Sequence, residues 1–211
     1  MKLVVVGARE DGLAHIVLDY LAAAGDHEVV GFLDEAPELE GTTAFGLPIW
    51  GPPCEVQQAL DAGAEGTFLA MGDCAARARI APQLEAAGLE FVNILGPGAY
   101  VAPSARLGRG VIVGANAIVS SGVVIGELSI VFALTVVGHH SRVGAAVLLA
   151  GGSMLAGRAS VGDRTLVGLG ARVMPDVTVG KEVVVGAGAV VTRDVPDGAR
   201  VAGIPARTVG E

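Results

Sequence analysis

Apolar positions follow two different rules along this 211-residue chain, and the change falls near residue 93. Before it, short aliphatic runs alternate with segments of helical period. Strands are expected at Lys2 to Gly7, Val29 to Leu33, Thr67 to Met71 and Phe91 to Ile94, and helices over Gly12 to Ala24, Glu55 to Ala62 and Ala75 to Ala87. That alternation predicts a small α/β layer on a parallel sheet.

From Leu95 onward the step is six. Leu95, Val101, Leu107, Val113, Val119, Ile125, Val131, Val137, Val143, Leu149, Leu155, Val161, Val167, Val173, Val179, Val185 and Val191 form 17 consecutive aliphatic positions. The next residue is mostly Gly or Ala, as at Gly108, Gly126, Gly144, Gly168 and Gly186. The fourth is mostly small, as at Ala105, Ala117, Ser129, Ser141, Ser153 and Thr165. A period of six is neither helical nor alternating; it is the mark of a parallel β-helix whose flat sides each take one repeat. With three sides to a coil, a turn takes 18 residues and the run supplies between five and six turns. The aliphatic column is expected to point inward, with small residues at the corners where the backbone turns. The fold class is therefore an α/β Rossmann-like domain over residues 1–93, followed by an all-β parallel β-helix over 94–211 with a short C-terminal tail.

Composition narrows the function. At 52% hydrophobic and 17% charged the chain can bury a sizeable core. No apolar run approaches the roughly 20 residues of a membrane span. The chain opens on LVVVG with no basic leader, so a cytoplasmic protein without membrane attachment is expected. A net charge of −8 argues against nucleic acid as a partner. Cys54 and Cys74 are too few for a disulfide framework and lack metal-site spacing, and no metal is expected. Neither cysteine is placed to carry an acyl group.

Reactive groups are scarce in the repeat region, which makes TVVGHHSRVG conspicuous: His139 and His140 stand side by side among small and aliphatic residues. An imidazole near neutral pH suits a general base. In the other half, Gly7-Ala8-Arg9-Glu10-Asp11-Gly12 follows a strand and opens a helix, the context in which backbone N–H groups hold a phosphate. Asp11 is positioned to cap that helix, leaving Arg9 as the attractive charge. Asp34 and Glu35 end the next strand, where an acid can take a ribose hydroxyl.

Hexapeptide repeats of this kind resemble the left-handed β-helix superfamily, whose commonest members are trimeric acyltransferases that bind acyl-CoA between adjacent prisms. The order of VVGAREDGLAH, VVGFLDE, LAMGDCAARAR, FVNILGPGAYVAPSARLG, the prism and VAGIPAR is similar, over essentially the whole chain, to bacterial sugar acetyltransferases of the NeuD/PglD type. That resemblance implies acetyl-CoA as co-substrate, a nucleotide-linked amino sugar as acceptor, a homotrimer and a place in surface polysaccharide or glycan synthesis. The family's base lies in a segment like H-D/E-C-x-I-G, here His139-His140-Ser141-Arg142-Val143-Gly144, so His139 takes the base position and His140 replaces the acid. Phe132 stands where the family carries an acceptor-holding Asn. The cofactor positions fall on Leu148, Leu169, Gly186 and Ala187. The nucleotide-sugar positions fall on Gly7, Arg9, Gly12, Asp34, Glu35, Gly72 and Asp73. Glu10 and Asp11 replace the family's usual Gly and His. Two alternatives stay open: the same architecture with another acceptor or acyl group, marked by Phe132, His140 and Glu10, or a non-catalytic trimeric binding protein. A γ-type carbonic anhydrase would need three zinc-binding histidines, and His15 and His27 lie in the other domain.

Overall fold

The computed structural model describes residues 1–210 and divides into two compact units, Met1–Ile94 and Leu95–Glu211. In the first, β1 (Lys2–Val6), α1 (Leu13–Ala24), β2 (Glu28–Leu33), a hairpin of β3 (Thr43–Ala44) and β4 (Leu47–Pro48), α2 (Gln57–Asp61), β5 (Gly66–Leu69), α3 (Cys74–Ala86) and β6 (Glu90–Phe91) follow one another. The main sheet is parallel in the order β2-β1-β5-β6. Its central strand is a continuous apolar run, and Leu3, Val4, Val5 and Val6 are wholly buried, as strands covered on both faces require. The expected helix over Glu55 to Ala62 is shorter: Pro53–Glu55 forms one 3₁₀ turn and only Gln57–Asp61 is α-helical.

The second unit is a three-sided parallel β-helix of two-residue strands. Its sheets hold eight, six and five strands, and strands along the prism pair with the one 18 residues on, as in Ile112↔Ile130 and Val124↔Arg142, until Val184 pairs with Arg200 and the last strand, Arg207–Thr208, runs antiparallel. The aliphatic column is buried from Val113 to Val191. It opens at its start, where Leu95 is 49% exposed and Val101 and Leu107 are half-buried, because no earlier coil lies in the repeat to cover them.

The corners differ from the sequence expectation. The small residues four after each aliphatic position do not make the sharp turn; they face the interior. Ser129, Thr135, Ser141 and Thr165 are buried, and their hydroxyls donate to Gly144, Ala150, Ala156 and Gly180 carbonyls of the next coil. The turn falls one residue earlier, at left-handed positions such as Asn116, Leu128, Leu134, His140, Arg158, Arg164, Asp176 and Glu182. Charged residues there stack from coil to coil, pairing Arg158 with Asp176 and Arg164 with Glu182.

Candidate active site

The histidine pair occupies the corner between the six-stranded sheet, through Val136–Val137, and the five-stranded sheet, through Arg142–Val143. His140 is the left-handed residue of the turn, with φ 59°. The turn is tied to its neighbours from both sides. The His140 N–H donates to the Ser121 carbonyl below (2.9 Å), the Arg158 N–H donates to the His139 carbonyl from above (2.9 Å), and the Ser141 hydroxyl donates to the Ala156 carbonyl. Both imidazoles are exposed, and Nδ1 of His139 lies 3.2 Å from Nδ1 of His140 with the rings nearly perpendicular. Ser121 therefore meets the pair through its backbone, and the ring partner of His139 is His140.

Two glycines make room for these rings. A Cβ on Gly157, one coil above His139, would stand 2.5 Å from Nε2 and 2.7 Å from Cε1 of His139. One on Gly122, below His140, would stand 2.9 Å from Cδ2 of His140. Beyond Arg158, the Asp176 carboxyl is bonded on both oxygens by that guanidinium (2.6 and 2.7 Å), and these bonds, with the charge of Arg158, hold it below the ordinary aspartate range.

The other expected prism residues lie elsewhere. Leu169 is 63% exposed, packs over Gly151, and shares a corner column with Ala187, beside Gly186. Phe132 is half-buried at that same corner, between the eight- and six-stranded sheets. Leu148 is buried on the eight-stranded sheet. Within one chain, then, the histidines and the Phe132, Leu169 and Ala187 cluster stand at opposite edges of one flat side.

In the first unit Gly7, Arg9, Gly12, Asp34, Glu35, Gly72 and Asp73 line a single cleft of about 450 Å³ with Leu13, Ala70, Met71 and Ala76. It opens where β1, β2 and β5 end, at the point where the chain leaves β1 to one side and later takes up the other. Gly7 has φ 102°, and a Cβ there would press within 2.7 Å of the Ala70 carbonyl, so the loop can lie close against β5. The acids are committed to structure. Asp34 accepts from the Ala8 and Ala36 N–H groups, and Asp73 caps α3 by accepting from Ala75 and Ala76. Glu35 takes a bidentate bond from Arg79 (2.8 and 2.6 Å), which pulls its carboxyl below the ordinary range. Asp11 does not cap α1: Gly12 is the N-cap and no side chain satisfies it, because the turn closes through Gly12 N–H to the Arg9 carbonyl. Glu10 turns away, accepting from the Phe45 N–H of the hairpin (3.0 Å), so its charge is spent outside the cleft.

Sequence reasoning missed Arg77 and Arg79. Buried Arg77 donates to the Met71 carbonyl that borders the cleft, and desolvation lowers its basicity. Their spacing of two on α3 carries no motif. Among the described residues no group of three or more His, Cys, Asp or Glu is arranged to hold a metal, and no helix is long and apolar enough to cross a membrane.

Residues 2–84 match the PglD N-terminal domain, residues 95–133 the hexapeptide repeat of succinyl-transferase, and residues 158–193 the bacterial transferase hexapeptide of six repeats. No curated protein sequence matches the chain. Solved structures do. A histidine-to-asparagine mutant of perosamine N-acetyltransferase from Caulobacter crescentus, in complex with CoA and GDP-perosamine, is 35% identical, with a TM-score of 0.92 over 100% of this chain and 98% of that one. The acetyltransferase domain of PglB from Neisseria gonorrhoeae is 32% identical, with a TM-score of 0.87 over 99% of each chain. The same domain in complex with acetyl coenzyme A is 29% identical, with a TM-score of 0.75 over 99% of this chain and 98% of that one.

Proposed function

The chain belongs to the NeuD/PglD-type family of hexapeptide-repeat sugar acetyltransferases, and on that premise we propose that it transfers an acetyl group from acetyl-CoA to the amine of a nucleotide-linked amino sugar, with His139 as general base. The observation that carries this reading is the held pair: Nδ1 of His139 is engaged by His140, which leaves Nε2, over the bare α-carbon of Gly157, to take a proton. As the neutral amine attacks the thioester carbonyl carbon, the C–N bond forms, the amine proton passes to Nε2, and the C–S bond breaks. The sulfur leaves as thiolate and takes up the proton. Cys54 and Cys74 both belong to the first unit, and no acyl-cysteine is invoked.

The cleft of the first unit is read as the nucleotide's seat. Arg9, the loop from Gly7 to Gly12 and the uncapped start of α1 offer cationic and N–H groups to a diphosphate. The turning of Glu10 to Phe45 removes the repulsion its charge would cause. Leu148, Leu169, Gly186 and Ala187 are read as the pantetheine side. Since Leu169 and Ala187 stand across a flat side from His139, the site is completed when a second copy sets the Leu169 corner against the His139 corner, closing a homotrimer. The neighbours' ligands, CoA with GDP-perosamine and acetyl coenzyme A, support this division. Phe132, bulky and half-buried where the family keeps an amide, supports a second reading in which the acceptor differs from the family's usual sugar.

A thermal-shift panel of acetyl-CoA, other acyl-CoAs, nucleotides and nucleotide-linked sugars tests the assignment. A ligand at 100 times its dissociation constant stabilises by about 2.7 kcal/mol. Acetyl-CoA and at least one nucleotide-linked amino sugar should shift the melting temperature, and silence from every acyl-CoA would leave only the scaffold.

A further inference from the structure

Resting on the reading of His139 as the base, we propose that His140 is its positioning residue, a neutral imidazole that accepts the His139 Nδ1–H on its own Nδ1 and so does by lone pair what a carboxylate does elsewhere by charge. The 3.2 Å Nδ1 to Nδ1 separation admits one shared proton, since two N–H groups or two lone pairs facing each other would repel. If the proton sits on His140, His139 must carry its own on Nε2 and has nothing left to receive one from a substrate. If it sits on His139, Nε2 is the free lone pair, and the imidazolium formed during transfer keeps the same partner.

The surroundings hold His140 in this role. Its backbone occupies the left-handed corner at φ 59°, its N–H is bonded to Ser121, and its ring lies over Gly122. The next residues of this corner column are Arg158 and Asp176, and both oxygens of Asp176 are taken by Arg158. Hydrogen bonding thus makes His140 the ring's orienting partner.

Two substitutions separate this role from a structural one, because both Asn and Gly tolerate a left-handed corner. In His140→Asn, Oδ1 stands at the same bonded position from Cβ as Nδ1 did and still accepts; in His140→Gly nothing accepts. The expected kcat of His140→Asn is within about threefold of wild type. His140→Gly should fall about tenfold or more, the order reached when a group that fixes an imidazole tautomer is removed, with acetyl-CoA affinity and melting temperature unchanged. Nitrogen-15 imidazole spectra of the wild-type protein should show Nδ1–H on His139 and Nε2–H on His140 at a pH where both are neutral, a readout independent of turnover. Equal rates in the Asn and Gly variants, or the opposite tautomers, overturn the proposal. Full activity in His139→Ala would instead remove the base reading beneath it.

Discussion

At the residue scale little space surrounds the imidazole of His139. Gly157 has no left-handed φ, so its backbone accepts alanine, yet the added methyl would stand 2.5 Å from Nε2 of His139. Gly157→Ala should leave the melting temperature nearly unchanged and lower kcat by about 100-fold, the order of loss from a displacement near 1 Å at a reacting group. Combined with His139→Ala it should cost nothing further, because both changes remove the same proton acceptor. Steady-state rates with circular-dichroism melts of the three variants check this, and full activity in Gly157→Ala would separate His139 from the chemistry. The position of His139 was legible from its place in the repeat, because a residue's number modulo 18 fixes its corner. The bond between the two rings was not, because side-chain rotation decides it and no spacing encodes rotation. Asp34 and Glu35 show the same limit: sequence put them at the end of a strand, while their partners Ala8 and Arg79 come from tertiary folding.

At the element scale each coil is held by its aliphatic column and by corner pairs to its neighbours. Leu149→Ala, at a fully buried mid-prism position, should destabilise the second unit by about 2–5 kcal/mol in chemical denaturation. A shift within experimental error would mean that the column is not the core. Asp163 gives a pH prediction at the next corner. It accepts from the Ala145 N–H (3.0 Å) and pairs with Lys181 (3.1 Å), and the backbone bond first, then Lys181, depresses its folded pKa. Its stabilising contribution is therefore present above the ordinary aspartate value of about 3.9 and is lost as pH falls through the depressed folded value. Melting curves of wild type and Asp163→Asn should differ at pH 7 and converge near pH 2; a constant gap would assign the difference to shape instead. The prism was legible because a six-residue period holds over 17 positions, whereas the exact turning residue was not, since Leu134, His140 and Glu182 share no side-chain chemistry beyond their place in the turn.

On the scale of the whole molecule, the proposed site needs a second copy, because His139 and the corner of Leu169 and Ala187 stand at opposite edges of one flat side. Light scattering should return three times the 21.1 kDa chain, and a monomer at micromolar concentration would leave the two halves of the site apart. Ala187→Trp should abolish CoA binding in calorimetry while the protein stays folded, since Ala187 is exposed beside Gly186 and a large ring there fills the slot; undiminished binding would relocate the pantetheine. The central claim, acetyl transfer with His139 as base, is tested most directly by following free CoA thiol and acetylated product by mass spectrometry. The purified protein, wild type and His139→Ala, is given acetyl-CoA and a panel of nucleotide-linked amino sugars that includes GDP-perosamine. Wild type should acetylate at least one member of the panel, and His139→Ala should do so on the order of 10²–10⁴-fold more slowly with acetyl-CoA affinity intact. Equal turnover by the two proteins, or no product from wild type with any amino sugar, would contradict that claim.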